Sequence, residues 1–227
     1  HREAKTREDA IDFAAKEPER PKWTWWSIAA SLVFVVAIML WGYPGLLKEG
    51  TKEYERTALA YYNQGNFQEA LDVCKILEDE SPNVSLTYLI RGNIYLVNGK
   101  LDTAEAAYYK ALQAQRQTNV QRAQVLVGLG RIASLRKKPD IALKYYQQAT
   151  EAAPKNSLGY LSQALLLEGR NDYDDALDLL EKAQVLEPQN QVLAAITDET
   201  RKKVALDRDQ KKQERLDRLV KELLENI

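Results

Sequence analysis

The chain has 227 residues, of which 45% are hydrophobic, and a formal net charge of -1 from 32 Lys and Arg against 33 Asp and Glu. This balance argues against a nucleic-acid surface or a polybasic membrane patch. One Cys and one His, the latter at position 1, exclude a disulfide framework and a zinc site of several thiolates.

Residues 1–22 are strongly charged, with acids and bases interleaved. A weak apolar spacing followed by Pro18 and Pro21 predicts a short helix and then a break. We interpret this segment as a flexible polar flank, with a cytoplasmic partner-binding tail as the alternative. Because the chain begins with His rather than Met, we expect it to be a piece of a longer protein.

Residues 23–43 carry no charge and predict a single transmembrane helix. At about 1.5 Å per residue they span about 31 Å, close to the hydrocarbon thickness of about 30 Å. Aromatic residues stand at both ends, as in interfacial belts. They are Trp23, Trp25 and Trp26 at one end and Trp41 and Tyr43 at the other. A cleavable signal peptide and a buried core helix are the alternatives.

Lys and Arg are only slightly more frequent before this segment than after it. We therefore expect a cytoplasmic N-terminus and an extracytoplasmic remainder, as in a single-pass protein of a bacterial inner membrane. Residues 44–50 would then form a tether that reaches at most about 25 Å.

A pattern of about 34 residues recurs four times between residues 51 and 190. Pairs of like residues 34 apart are Tyr61 and Tyr95, Gly65 and Gly99, Ala70 and Ala104, Ala142 and Ala176, Ala149 and Ala183, and Pro154 and Pro188. The step from Ala104 to Ala142 is 38, so four residues, 119–122, are inserted in the middle. The copies are 51–84, 85–118, 123–156 and 157–190.

Each copy predicts two helices joined by a tight turn. Gly and Asn, as in residues 63–66, 98–100 and 169–172, tolerate the left-handed backbone that ends a helix. The third copy departs from this pattern, with Lys137 in place of the glycine and Pro139 in place of the aromatic residue. The second copy lacks a closing proline, so we expect its last helix to continue through residues 113–116 into 119–122.

These residues resemble the tetratricopeptide repeat family over residues 51–190. The resemblance implies an all-α solenoid of four helix-turn-helix repeats, here preceded by the transmembrane helix and followed by a C-terminal helix. It also implies that the first helix of each repeat lines a concave groove. The expected groove residues are Leu59, Tyr62, Leu86, Leu89, Asn93, Leu96, Val127, Arg131, Leu158, Leu161 and Leu165, with Lys52, Glu55, Asn63, Val97, Gln124, Ser134, Leu135 and Glu168 at the remaining positions.

This groove is largely apolar, and we expect a row of exposed leucines that binds an apolar or amphipathic helix. The helix could belong to a partner, to this chain or to a second copy. Members that grip an acidic chaperone tail carry Lys, Asn and Arg at four positions that here hold Glu55, Leu59, Gln124 and Gly128. Binding of such a tail is not expected.

The segment 191–227 predicts a capping helix and a second apolar stripe. Val192, Ala195, Ile196 and Val204 suit a helix that covers the last repeat. Leu216, Leu219, Val220, Leu223 and Leu224 form a stripe at helical spacing. This stripe needs a partner helix, a second copy of the chain or a further domain, and it is too short to favour a coiled coil.

Nothing in the sequence predicts an active site, a cofactor or a small-molecule substrate. Cys74 lies where the repeat packs its helices, so a buried structural thiol is favoured over a nucleophile. Gly128 and Gly130 are interpreted as helix packing rather than a phosphate loop. Asp172, Asp174 and Asp175 open a helix, and capping is favoured over a metal cluster.

The expected function is therefore a non-enzymatic, membrane-tethered interaction module, a scaffold, adaptor or assembly factor similar to the single-pass repeat proteins of bacterial envelopes. Its expected partners are proteins, including membrane proteins or a second copy, and the lipid bilayer. One alternative is the docking or regulatory half of a larger protein or enzyme whose active domain follows residue 227. Another is an organellar import receptor with cytosolic repeats, which requires the opposite orientation.

Overall fold

The computed structural model describes residues 43–225. Within this range the chain folds into nine α-helices, and the only strand pairing is an isolated parallel bridge between Val84 and Arg116. The helices are α1 Tyr43–Asn63, α2 Phe67–Glu80, α3 Ser85–Val97, α4 Leu101–Gln113, α5 Asn119–Leu135, α6 Pro139–Ala152, α7 Ser157–Glu168, α8 Tyr173–Leu186 and α9 Gln191–Glu225.

The first eight helices form four pairs that stack in chain order. The helices of a pair are joined by turns of only three or four residues, and each pair packs on the next. The first helices also pack on one another, α3 on α5 and α5 on α7. This stacking confirms the predicted all-α solenoid of helix pairs for the described residues.

Tyr108 of α4 shows why small residues recur where the helices meet. Its ring is fully buried and lies between Gly92 of α3 and Gly128 of α5. A Cβ atom would lie 2.5 Å from the ring at Gly92 and 2.4 Å at Gly128, closer than real Cβ contacts. Tyr146 of α6 packs on Gly130 in the same way, at 2.3 Å from a Cβ placed there. The two glycines of α5 are therefore packing positions.

The turns inside each pair all use a residue with positive φ. Gly65 and Gly99 serve in the first two pairs, with φ of 79° and 71°. In the third pair Lys137 takes this conformation itself, with φ of 58°. In the fourth pair Asn171, with φ of 65°, takes it rather than Gly169, whose φ is -64°.

The expected continuation of α4 into the inserted residues is wrong. The helix ends at Gln113, and residues 114–118 form a loop in which Arg116 bonds to the backbone of residues 83 and 85. Thr118 then begins α5 with a capping box. The Thr118 hydroxyl accepts from the backbone N–H of Gln121 at 3.1 Å, and the Gln121 side chain accepts from the backbone N–H of Thr118 at 2.9 Å. The four inserted residues lengthen α5 instead.

The predicted tether, residues 44–50, lies within α1. A helical segment of this length rises only about 10 Å, compared with the 25 Å limit of an extended chain. The predicted tail, 1–22, and the predicted transmembrane segment lie outside the described residues, including the anchor aromatics Trp23, Trp25, Trp26 and Trp41; Tyr43 enters only as the first backbone residue of α1. No helix among the described residues has the length and hydropathy needed to cross a bilayer.

Helix α9 covers the last pair with Val204 and Ile196 of the predicted stripe, but its other contact residues differ from those predicted. Leu193, Thr197, Thr200 and Val204 are buried, whereas Val192 is 71% exposed and Ala195 also faces outward. The two threonines can be buried because their hydroxyls are hydrogen-bonded. Thr197 donates to the backbone carbonyl of Leu193 at 2.9 Å, and Thr200 donates to that of Ile196 at 3.0 Å. Beyond Val204 the helix is exposed, including the stripe 216–224.

Candidate functional site

The first helices α1, α3, α5 and α7 together line a groove. It consists of two adjoining cavities of about 450 and 460 Å³, which share Val127, Arg131 and Leu158, and a shallower one of about 260 Å³ at the α1 end. We use "the groove" for the residues that line these three cavities. All eleven residues expected to form the partner site line at least one of them: Leu59, Tyr62, Leu86, Leu89, Asn93, Leu96, Val127, Arg131, Leu158, Leu161 and Leu165.

The remaining positions divide into two groups. Lining the groove are Lys52, Glu55, Asn63, Val97, Gln124 and Ser134. Leu135 and Glu168 do not line it. Leu135 is exposed beyond the end of the cavities, and the Glu168 carboxylate is held by Lys203 of α9 at 2.6 Å.

The apolar lining has a buried floor and an exposed edge. Leu89, Leu96 and Val127 are each less than a tenth exposed, since they also pack the helices together. Leu59 and Leu165 are 40% and 47% exposed. The expectation of a continuous row of exposed leucines is therefore wrong for the floor, where the side chains both line the groove and pack the helices together. The expectation is correct for Leu59 and Leu165 at the two ends.

The two larger cavities also contain polar side chains, among them Asn93, Gln124, Arg131 and Ser134. The Tyr108 hydroxyl donates to Oδ1 of Asn93 at 2.7 Å, and burial raises the pKa of that hydroxyl, so the tyrosine stays neutral. Burial likewise raises the pKa of Tyr146, whose hydroxyl lies 3.4 Å from the Ser134 hydroxyl. Neither hydroxyl is suited to act as a base at neutral pH.

Cys74 is fully buried among α2, α3 and α1 residues, as expected of a structural thiol. Burial raises its pKa from 9.0 to about 12, which Arg91 opposes only in part. The thiol is thus protonated at neutral pH and is not a nucleophile. Among the residues that the structure describes, no three His, Cys, Asp or Glu side chains are placed to hold a metal ion.

The acidic cluster before α8 is engaged with arginines. Asp172 occupies the N-cap position, but its side chain makes no capping hydrogen bond and lies 3.8 Å from Arg170. Asp174 pairs with Arg208 of α9 at 2.5 Å. Asp172 therefore stands at the predicted N-terminal end of the helix, but its side chain forms an ion pair instead of a capping hydrogen bond.

Two models of the tetratricopeptide repeat match the sequence, over residues 83–155 and 120–191. Residues 83–191 contain tetratricopeptide repeats. The two matches together span α3 to α8, the segments that supply most of the groove. No curated protein sequence matches the chain.

Solved tetratricopeptide-repeat structures share the fold. A thermophilic tetratricopeptide-repeat protein of Thermus thermophilus superposes with a TM-score of 0.57 and 18% identity, over 73% of this chain and 95% of that one. A chain of the APC/C hetero-tetramer Cut9-Hcn1 has a TM-score of 0.57 and 15% identity, over 66% of this chain and 29% of that one. The chain thus spans less than a third of the Cut9-Hcn1 chain.

Tetratricopeptide repeats are typical of non-enzymatic scaffolds that bind other proteins, and this fold suggests a protein–protein interaction module. The positions that grip an acidic chaperone tail in some repeat proteins are not basic here. Of these positions Glu55 is already paired, at 3.4 Å, with Arg116. Leu59 and Gly128 supply only apolar surface.

Several lining residues were not expected from the sequence. They are Arg56, Ile90, Gln121, Gly128, Tyr146, Ser162 and Leu166. Gln121 was missed because it belongs to the insertion, which was assigned to the preceding helix. Tyr146 was missed because it belongs to a second helix, whereas only first helices were expected to line the groove. Its ring reaches the groove past Gly130, and the presence of a glycine opposite a tyrosine was the available signal in the sequence.

Proposed function

We propose that the chain is a membrane-tethered interaction module, a scaffold, adaptor or assembly factor, that holds an apolar or amphipathic segment of another protein in its groove. The observation that carries this proposal is a row of apolar side chains that reaches from Leu59 of α1 through α3 and α5 to Leu165 of α7, with polar residues such as Arg131 among them. A docked amphipathic helix would place its apolar face along this row.

The ends of the groove supply surface that is still open to water. Leu59 and Leu165 keep close to half of their surface exposed. Fully burying a leucine is worth about 1.5 to 3 kcal/mol, so covering the exposed half of both leucines contributes about 1.5 to 3 kcal/mol in total, part of the roughly 4 kcal/mol that a millimolar complex needs.

Membrane tethering is supported by residues 23–43, an uncharged stretch with Trp at both ends and the length of a bilayer crossing. We place the chain in a bacterial inner membrane with its N-terminus in the cytoplasm and the repeats on the opposite side. An insoluble partner, such as another membrane protein, would then be within reach of the groove.

The groove is tested by charge substitution at its exposed ends. The double variant Leu59→Glu and Leu165→Glu places carboxylates on the apolar lining without opening the core. Val185→Glu with Val192→Glu is the matched control, since both valines are exposed and line none of the three cavities of the groove. Crosslinking in membranes followed by mass spectrometry should lose the wild-type partners in the groove variant alone. Equal capture by both variants would reject the groove.

The tether is tested separately from the groove. The wild-type chain should stay with membranes in alkaline carbonate, and a chain lacking residues 23–43 should not. Protease added to sealed, right-side-out spheroplasts should cut the repeats if they lie outside the cytoplasm. Cleavage only after lysis would place the repeats in the cytoplasm and support the import-receptor orientation.

A second candidate function is the docking half of a larger protein. It is favoured by the stripe 216–224 of α9, where Leu216, Leu219, Val220, Leu223 and Leu224 are each about half exposed or more. An apolar stripe of this kind is stabilised by covering it, and a domain that follows it could do so. The full reading frame distinguishes the two candidates.

A further inference from the structure

The groove carries an unusual charge distribution for a chain that is nearly neutral. Its lining includes the cations Lys52, Arg56 and Arg131, and its single acid is Glu55. Glu55 is engaged by Arg116 at 3.4 Å. Among the residues that the structure describes, no carboxylate lines the two larger cavities, and Arg131 is the charged residue of both.

Arg131 differs from the arginines that join repeats on the outer surface. Arg91 pairs with Glu78, Arg136 with Glu105 at 2.7 Å, and Arg170 with Asp140 at 3.0 Å. Arg131 is exposed and forms no ion pair within residues 50–225. An arginine surrounded by leucines and valines, rather than by acids, leaves its planar set of donors open toward the groove.

Neighbouring groups add donors and no negative charge. The Arg131 guanidinium is close enough to the hydroxyls of Tyr108 and Tyr146 to lower the pKa of both, against the larger effect of burial. Asn93 lines the same cavity, and because its Oδ1 already accepts from Tyr108, the N–H groups of its amide are the part of the side chain left to bind an acceptor. The described residues that line the two larger cavities thus bring hydrogen-bond donors and one positive charge, and none of them is a carboxylate.

We propose that the groove is specific for a partner segment that carries one acidic side chain between apolar ones, with its carboxylate bound by Arg131 and the Asn93 amide. The apolar side chains on either side would enter the two cavities that meet at Arg131. This inference rests on the proposed function, because it names the chemistry of the segment that the groove holds.

The charge pattern favours an acidic residue over a neutral one for a physical reason. A carboxylate can accept two parallel hydrogen bonds from a guanidinium, and such pairs are stronger where apolar walls exclude water. A neutral amide at that point would leave the Arg131 charge partly desolvated and unpaired. A basic residue would add direct repulsion.

The test uses the full chain in detergent micelles and three fluorescein-labelled synthetic peptides. Each peptide is an amphipathic helix with Leu and Ala on one face and Ser and Gln on the other, and the three differ only at the central residue of the apolar face, which is Glu, Gln or Lys. Fluorescence anisotropy should show the Glu peptide binding roughly tenfold more tightly than the Gln peptide, with the Lys peptide weakest. Raised salt should narrow this difference.

Variants assign the preference to Arg131. Arg131→Gln should bind the Glu and Gln peptides equally, and Arg131→Lys should restore part of the preference. Arg122→Gln is the matched control, since Arg122 is an exposed arginine of the same helix that lines no cavity, and it should behave as wild type.

The outcomes separate this inference from the function on which it rests. Equal binding of the Glu and Gln peptides by the wild type, lost in the variant Leu59→Glu with Leu165→Glu, would keep the groove and overturn the acidic specificity. A preference for Glu that survives in Arg131→Gln would also overturn it. No binding of any peptide by the wild type would contradict both.

Discussion

Tyr108 shows how single residues set the spacing of the solenoid. Its buried ring fills the space left by the missing Cβ atoms of Gly92 and Gly128, while its hydroxyl bonds to Asn93 in the groove lining. The same residue therefore spaces α3 from α5 and orients a polar group of the candidate site. The pattern of small and aromatic residues was readable in the sequence, but the particular partners were not.

Adding one methyl group at this contact should destabilise the repeats. In Gly128→Ala the new Cβ would lie 2.4 Å from the Tyr108 ring, and overpacking of this kind costs about 1–3 kcal/mol. Gly169→Ala is the control, because Gly169 has φ of -64° and its nearest neighbour would be 3.5 Å away. Urea unfolding should show a lower midpoint for Gly128→Ala only. An unchanged midpoint there would contradict the packing.

Lys137 is a non-glycine residue held at positive φ, where L residues are strained. Lys137→Gly should therefore raise the free energy of unfolding, by up to about 1 kcal/mol. Lys138→Gly is the control, because Lys138 has φ of -116° and is not strained. Glycine there only adds entropy to the unfolded chain, so it should lower the free energy of unfolding. Thermal unfolding compares the two. Destabilisation by both substitutions would show that the Lys137 turn is unstrained.

Cys74 should make the fold sensitive to alkali. Its pKa is about 12 in the folded state against 9.0 when unfolded, so the unfolded chain loses the proton first. Stability from this group is complete below pH 9 and falls as pH rises toward 12. Between pH 8 and 10.5 the wild type should lose about 2 kcal/mol more than Cys74→Ala. If urea titrations showed the same loss in free energy of unfolding for the wild type and Cys74→Ala, the thiol would be accessible to solvent.

At the scale of the elements, α9 combines two functions. Its first half covers the last pair through Leu193, Thr197, Thr200 and Val204, and its second half is exposed throughout. The sequence predicted a capping helix. It favoured Val192 and Ala195 as contact residues over the two threonines, because threonine side chains are polar and are usually exposed. Only the hydrogen bonds to the preceding turn make those threonines suitable for burial.

The two halves of α9 should therefore contribute unequally to stability. Among the described residues, deleting 209–227 removes only exposed side chains and surface ion pairs, so the free energy of unfolding should change by less than about 1 kcal/mol. Leu193→Ala, which empties a site that is 2% exposed, should cost about 2–5 kcal/mol. Urea titrations measure both. A large loss on deletion would mean that the stripe 216–224 packs on the repeats.

The insertion between the second and third copies shows where periodicity stops being informative. Four extra residues were evident from the step of 38, but repeat spacing cannot say which helix receives them. The local signal was Thr118 followed three residues later by Gln121, a capping box that begins α5. As a result α5 is longer by a turn than α3 and brings Gln121 to the groove.

At the scale of the whole molecule, the repeat period predicted the fold, and the resemblance to the tetratricopeptide repeat family supplied the positions that line the groove. The first helices line it because each pair repeats the same packing, so one alignment of the copies places all eleven residues. Exposure could not be obtained in this way. Leu89 and Leu96 occupy groove positions of the repeat as Leu59 does, but they are buried against neighbouring helices, whereas Leu59, Val97 and Leu165 stay exposed.

The arrangement of these open ends explains why the groove suits a long segment rather than a small molecule. Leu59 and Leu165 lie in different cavities, on α1 and α7, with Arg131 between them. An occupant that covers both leucines must cross all four first helices. An extended or helical stretch of polypeptide satisfies this requirement, and its acidic residue would meet Arg131.

The central claim, that the groove holds a segment of another protein, is tested most directly by site-specific photo-crosslinking in native membranes. A photoreactive amino acid replaces Leu59 or Leu165 in the groove and Val185 or Val192 outside it, and mass spectrometry identifies the attached peptides. We expect both groove positions to attach to one apolar segment of the same partner, and the outer positions to leave it unlabelled. Labelling of the same proteins from all four positions, or of none from the groove, would contradict this account.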